Sequence, residues 1–184
     1  MRKLIATCAA AIAMVAGLAS TATAAGAAPR AAQQPFCGIH WGSKAKHAGA
    51  MQSTLVRSIR AGEHACFDRL VIELGAGKKP GYRVQYVARI IQDGSGHVIP
   101  VAGGAKLAIT VQSPARAGFP VNGRHLVNVT GFSTFRQIVG AGSFEGITSF
   151  GLGLRGKLPF RVFQENGPGT HSRLVIDVAH RWQA

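Results

Sequence analysis

The sequence predicts an all-β sandwich of roughly eight to ten mostly antiparallel strands, held by one disulfide. Three observations predict it. Apolar and polar residues alternate in short runs, Gly or Pro punctuates the chain about every 8–14 residues from Phe36 onward, and no long stretch repeats apolar residues at helical spacing. Composition agrees, with 24 Gly and 8 Pro among 184 residues, 47% hydrophobic residues and 15% charged ones. That apolar content supplies a core and excludes a disordered chain. Too few charges and too many glycines exclude a long coiled coil, and the length excludes a multidomain enzyme.

Each element follows from local pattern. In Arg69-Leu70-Val71-Ile72-Glu73-Leu74 the side chains of Leu70, Ile72 and Leu74 share one face, because successive residues of an extended chain point to opposite sides. Residues 82–87 alternate likewise, and in 106–111 Leu107, Ile109 and Val111 fall together. Asp93-Gly94-Ser95-Gly96 separates 88–92 from 97–101 and is the clearest hairpin turn, since Asp-Gly readily adopts positive φ. Residues 126–129, 135–139 and 160–163 are further strand candidates, the last opened by Pro159 and ended by Gly167-Pro168-Gly169. Residues 43–53 are the best helical candidate. One echo stands out: Arg69-Leu70-Val71-Ile72-Glu73-Leu74 returns as Arg173-Leu174-Val175-Ile176-Asp177-Val178, with His64 and His171 upstream. Two readings stay open. Good strands resemble one another, or the echo marks a pseudo-symmetric pair of sheets; as neighbours the two strands would pair their charges.

The first residues read as a targeting segment. Arg2 and Lys3 precede an apolar run over 4–18, and Ala22-Thr23-Ala24 fits a cleavage site. The run is shorter than the roughly 20 residues that span a bilayer. Residues 1–24 are therefore expected to leave as a signal peptide, taking Cys8 with them. Residues 25–35 read as a flexible linker and 36–184 as the domain, with no transmembrane segment after cleavage and a secreted destination. Two cysteines follow, Cys37 and Cys66, and an exported pair is expected to bridge. Closing that loop stabilises the fold by roughly 3–4 kcal/mol on the chain-entropy account. The alternative is a catalytic thiolate beside a histidine.

Motifs for chemistry are few. Gly151-Leu152-Gly153-Leu154-Arg155-Gly156 spells a dinucleotide fingerprint but lies in an extended apolar run with Pro159 close behind. No helix can open there to meet a pyrophosphate, so the glycines are expected to make room for a neighbouring strand or ring. His40, His47, His64, His97, His125, His171 and His180 show no i,i+2 or i,i+4 pair, so metal could be held only by long-range convergence, and neither metal nor cofactor is expected. The carboxylates Glu63, Asp68, Glu73, Asp93, Glu145, Glu165 and Asp177 suggest no facing acid–base pair, and Glu145 is the least explained. No serine-hydrolase elbow exists. Asn128-Val129-Thr130 is a glycosylation sequon whose apolar neighbours suggest a strand. Lys and Arg number 21 against 7 acids, a formal +14, yet they are dispersed and not interleaved with aromatics, which argues against a nucleic-acid partner. Such charge either concentrates anionic envelope polymers or only maintains solubility.

Several blocks resemble one family. Cys37-Gly38-Ile39-His40-Trp41-Gly42-Ser43, the run from Ile59 to Leu74 with Glu63-His64-Ala65-Cys66-Phe67-Asp68, Thr134-Phe135-Arg136-Gln137, Ala141-Gly142-Ser143-Phe144-Glu145-Gly146, Leu158-Pro159-Phe160-Arg161-Val162-Phe163 and Ser172-Arg173-Leu174 through Trp182 are similar to the exported AMIN-like domain proteins of high-GC Gram-positive bacteria. The resemblance spans about residues 36–182. It implies a β-sandwich module that holds partners at peptidoglycan. The expected function is a secreted, non-catalytic binder of cell-envelope glycan (peptidoglycan) or anionic wall polymer, associated with the cell wall. The alternative is a protein-interaction or small-ligand module without wall affinity, partnered by another exported protein; a hydrolase is the less favoured third. Arg136, Glu145, Arg155 and Arg161 are the expected polar contacts and Phe135 and Phe144 the stacking surfaces, because this stretch mixes charge and glycine where a plain strand would not.

Overall fold

The computed structural model describes residues 35–182, so the proposed signal segment and all but the end of the linker lie outside the described residues. Eleven strands are present: β1 (Lys46–Ala48), β2 (Val56–Glu63), β3 (Phe67–Leu74), β4 (Tyr82–Val87), β5 (Ile90–Ile91), β6 (Val98–Ile99), β7 (Ala105–Val111), β8 (Phe135–Phe144), β9 (Ile147–Leu154), β10 (Phe160–Asn166) and β11 (Ser172–Ala179). They form a five-stranded sheet in the order β1-β4-β7-β9-β8, a four-stranded sheet in the order β10-β11-β3-β2, and the β5–β6 hairpin. Every ladder is antiparallel. The expected all-β sandwich with one disulfide is what the chain forms.

The alternation dictates the core. Leu70, Ile72 and Leu74 of β3 and Leu174, Ile176 and Val178 of β11 are fully buried, packed in one cluster with Leu107, Ile109 and Val111 of β7 and Phe150, Leu152 and Leu154 of β9. Each such side chain contributes about 1.5–3 kcal/mol by leaving water. The outer face of the five-stranded sheet carries a second, smaller core. There Ile90, Ile99 and Val101 of the β5–β6 segment pack on Val139 and Ala141 of β8. Two of the three glycines of the apparent nucleotide fingerprint explain themselves here. A Cβ on Gly151 would stand 2.7 Å from Ile90 Cγ1, and one on Gly153 would stand 2.0 Å from the Ala102 carbonyl oxygen. They make room for the hairpin segment, and the expected turn at Asp93-Gly94 joins its two strands.

Two local expectations are corrected, and one open reading is decided. Residues 43–53 form no helix; Lys46–Ala48 pairs along the edge of β4, and those sheet-edge hydrogen bonds override a poor helical pattern. Residues 126–129 form no strand but an irregular loop, from which the Leu126 amide donates to the Ile138 carbonyl. The echoing strands β3 and β11 do not sit in separate sheets. They are direct neighbours, with Arg69 opposite Asp177 and Glu73 opposite Arg173.

Cys37 and Cys66 are bridged across a sequence separation of 29. The bridge pins the segment ahead of β1 to the start of β3. The Trp41 indole donates to the Phe36 carbonyl at 2.9 Å and its ring lies 5.9 Å from that of Phe67.

Candidate functional site

The six expected site residues are not brought together. Phe135 opens β8 and is fully buried, because the alternation of β8 turns its ring into the core, at the base of the cavity described below. Phe144 closes the same strand, 53% exposed. Ten residues of β8 separate them by about 30 Å at the rise of an extended chain. Glu145 occupies the two-residue turn between β8 and β9 with φ 49°, and Gly146 follows at 77°. Two successive positive φ values are what a tight hairpin turn requires, which accounts for this carboxylate's odd setting.

The arginines are tied elsewhere. Arg155 donates to the His180 carbonyl. Arg161, on the outer face of the four-stranded sheet, donates to the fully buried Asp177 at 2.8 Å. From the other side Arg69 reaches the same carboxylate with two bonds of 2.7 and 2.9 Å. These bonds hold the Arg69 guanidinium above its ordinary pKa. Both guanidiniums lie over aromatic rings, Arg161 at 5.1 Å from Phe163 and Arg69 at 5.1 Å from Phe67.

Of the six, Arg136 and Phe135 border an open groove. A half-open cavity of about 660 Å³ lies between β8 and the 125–132 loop, lined among others by His125, Asn128, Thr130, Phe132, Arg136 and Gln137. That volume falls within the span of small-molecule sites. The loop is held rigidly although it belongs to no ladder. Arg136 donates to the carbonyls of Phe132 and Phe135 at 2.9 and 2.8 Å. The Gln137 side chain accepts from the Ala102 amide at 2.7 Å and donates to the Arg124 carbonyl at 2.8 Å. Asn128 accepts from the Thr130 amide at 3.0 Å, and Val129 anchors the loop in the core. The groove thus offers a guanidinium, an imidazole, amides and a hydroxyl beside the half-buried Phe132 ring. No carboxylate or thiol is among its lining residues. Such a wall donates hydrogen bonds to hydroxyls and anions and has no acid–base pair with which to break a bond. Two of its lining residues, Arg136 and Phe135, are among those the sequence singles out; His125, Asn128, Thr130 and Phe132 are not, and the sequon at Asn128 is their one local signal.

A second cluster lies behind the segment that leads into β8, at Ser133 and Thr134. Asp68 is fully buried; its Oδ2 accepts from the amides of Thr134 and Phe135 at 2.6 and 2.8 Å, and its Oδ1 lies 2.9 Å from His180 Nε2. Glu63 accepts from the hydroxyl and the amide of Ser133 at 2.7 and 2.9 Å. Those two donors, with the nearby His180, hold the Glu63 carboxyl below the usual carboxylate range. One ligand atom from each of Glu63, Asp68 and His180 lies within 4.8 Å of the others.

An antiparallel sandwich with a polar, half-open groove at one strand's end is the architecture of a β-sandwich module. The model of the AMIN-like domain matches residues 54–180, and the chain belongs to that family. AMIN-like domains are non-catalytic modules, often associated with peptidoglycan, and AMIN domains occur in secreted and periplasmic proteins. The match covers β2 to β11 but not Cys37, Trp41 or β1, so the bridged segment lies ahead of it. No curated protein and no solved structure matches the chain. Among the described residues no helix is long and apolar enough to cross a membrane.

Proposed function

We propose that this protein is a secreted, non-catalytic binder of cell-envelope glycan or anionic wall polymer, and that it binds through the groove beside β8. The observation that carries the reading is the groove's lining, in which Arg136, His125, Asn128 and Thr130 surround the Phe132 ring with no carboxylate among them. Glycan hydroxyls, peptide carboxylates and phosphodiesters are all acceptors for such donors, and a sugar ring has an apolar face for Phe132. The family supports the same reading, as does the surplus of 21 basic over 7 acidic residues. Long-range attraction raises the local concentration of a polyanion, and the groove then selects among the chains so gathered.

Sedimentation with purified cell wall tests this. The protein is expected to pellet at low salt, to be released progressively as salt screens the attraction, and to pellet less when His125 and Asn128 are both changed to Ala. A wild-type protein that stays in the supernatant at low salt overturns the proposal. If it then co-purifies with one exported protein, the interaction-module reading takes its place.

A further inference from the structure

We propose that Glu63, Asp68 and His180 form a site for one divalent cation of the zinc type, independent of the groove's ligand. The three residues are far apart in sequence, and the fold alone gathers them. Glu63 ends β2 and Asp68 lies opposite it in β3, while His180 directly follows β11, the other neighbour of β3. The His180 amide donates to the Cys66 carbonyl at 2.9 Å, which fixes its backbone beside the disulfide.

Geometry and charge both favour a cation. Ligand atoms around tetrahedral zinc stand about 3.4 Å apart. Asp68 Oδ1 and His180 Nε2 are already 2.9 Å apart, and the whole set lies within 4.8 Å. Glu63 is exposed, so rotation of its side chain closes the remaining distance. Asp68 cannot swing away, because its other oxygen is held by two backbone amides; this is the outer support that metal ligands characteristically have. Glu73, Glu165 and Asp177 each pair with arginine. Among the described residues neither Glu63 nor Asp68 has a lysine or arginine in ion-pair range, despite the chain's 21 basic residues; their shared partner is one imidazole. Arg155 and Arg136 bond to the carbonyls of His180 and Ser133 and not to either carboxylate.

The donor set selects the metal. One imidazole nitrogen and two carboxylates suit a borderline cation, whereas calcium and magnesium prefer oxygen alone. On binding, the cation takes the place of the proton between Nε2 and Oδ1. A doubly protonated His180 releases that proton to solvent, and a neutral His180 carrying it on Nε2 moves it to Nδ1; because protons compete with the cation for the same donor atoms, affinity falls with falling pH. Three protein ligands leave a fourth position for water. A simple Asp68–His180 latch would not require Glu63 to converge on the same point.

The test is calorimetric titration of the chelator-treated full chain with zinc chloride, with magnesium chloride as control, and a thermal melt of each. One zinc per chain and a raised melting temperature are expected, with no effect of magnesium. Affinity should fall at least about tenfold in Glu63→Gln and in His180→Gln and stay unchanged in His97→Gln, on the β5–β6 hairpin. Glu63→Gln keeps an oxygen for Ser133 and removes only the charge. Absence of saturable one-to-one binding by the wild type overturns the proposal, as does undiminished affinity in either ligand variant. The wild-type cobalt(II) complex gives a variant-free reading: a ligand-field band of a low-coordinate nitrogen–oxygen site is expected, and the pale spectrum of the aqueous ion would overturn the assignment.

Discussion

Asp68 and Asp177 are both fully buried carboxylates, and the protein solves the same electrostatic problem for them in opposite ways. Asp177 lies on the outer face of the four-stranded sheet, where Arg69 and Arg161 flank it in register on either side and stack on Phe67 and Phe163. Its charge is overcompensated. Asp68 is held instead by two backbone amides and one imidazole, which satisfy its hydrogen bonds without a permanent positive charge. The first arrangement is closed and structural. The second joins β3 to the turn that leads into β8, the same turn whose carbonyls Arg136 grips at the groove. A buried charge met by dipoles retains a capacity for a cation that one met by arginines has lost.

Removing each carboxylate separates the two solutions. Asp68→Ala leaves two buried amides and His180 without their acceptor, and is expected to cost about 4 kcal/mol in urea unfolding. Asp177→Ala leaves two arginines that are a quarter to a third exposed and still stacked on rings, so about 2–3 kcal/mol is expected. Equal losses would mean that amide dipoles and guanidiniums serve these positions alike.

The disulfide touches both regions. Cys66 accepts from the His180 amide through its carbonyl, and Cys37 anchors the segment that brings Trp41 to 5.6 Å from the Arg161 guanidinium. Changing both cysteines to Ser is expected to cost roughly 3–4 kcal/mol. Combined with Asp68→Ala the loss should be clearly less than additive, because His180 is then already loosened. Strict additivity would show that the bridge acts on the unfolded chain alone.

Acid titration sharpens the comparison further. Ser133 holds Glu63 below the ordinary carboxylate range, so folding favours its ionised form. The resulting stability is present above the unfolded carboxyl pKa and is lost as pH falls through the depressed folded value. Glu63→Gln should therefore lower stability slightly near neutral pH, leave it little changed at the acid end, and so flatten the acid limb of the unfolding curve. An unaltered acid limb would place the acid sensitivity elsewhere.

What could be read from the sequence follows the same division. The Asp177 network lay in the open, because the Arg-x-x-x-Glu and Arg-x-x-x-Asp strands alternate with period two and one register pairs them. The core was legible for the same reason: a half-buried strand must place Leu70, Ile72 and Leu74 on one side. The groove was not. Val127 and Val129 made its loop look like a strand, although Val129 serves as a core anchor and Arg136 and Gln137 hold the loop by bonds to carbonyls and an amide that no side-chain pattern encodes. The Glu63–Asp68–His180 cluster was invisible because His180 and Asp68 are 112 residues apart and meet only when β11 pairs with β3.

Glu145 supplies the smallest effect and the sharpest check on the groove. Its carboxylate is exposed, and its φ of 49° is unfavourable for a side chain of its kind. Asn tolerates that conformation at the first central position of such a turn, so Glu145→Asn is expected to stabilise the fold by about 0.5–1 kcal/mol. Because the turn lies at the far end of β8 from the groove, the same variant should sediment with cell wall as the wild type does, apart from the small gain expected from losing one negative charge. A marked loss of sedimentation would shift the binding surface to the β8–β9 turn, with the exposed Phe144 as its apolar contact, and would leave Arg136 a purely structural clamp on its loop.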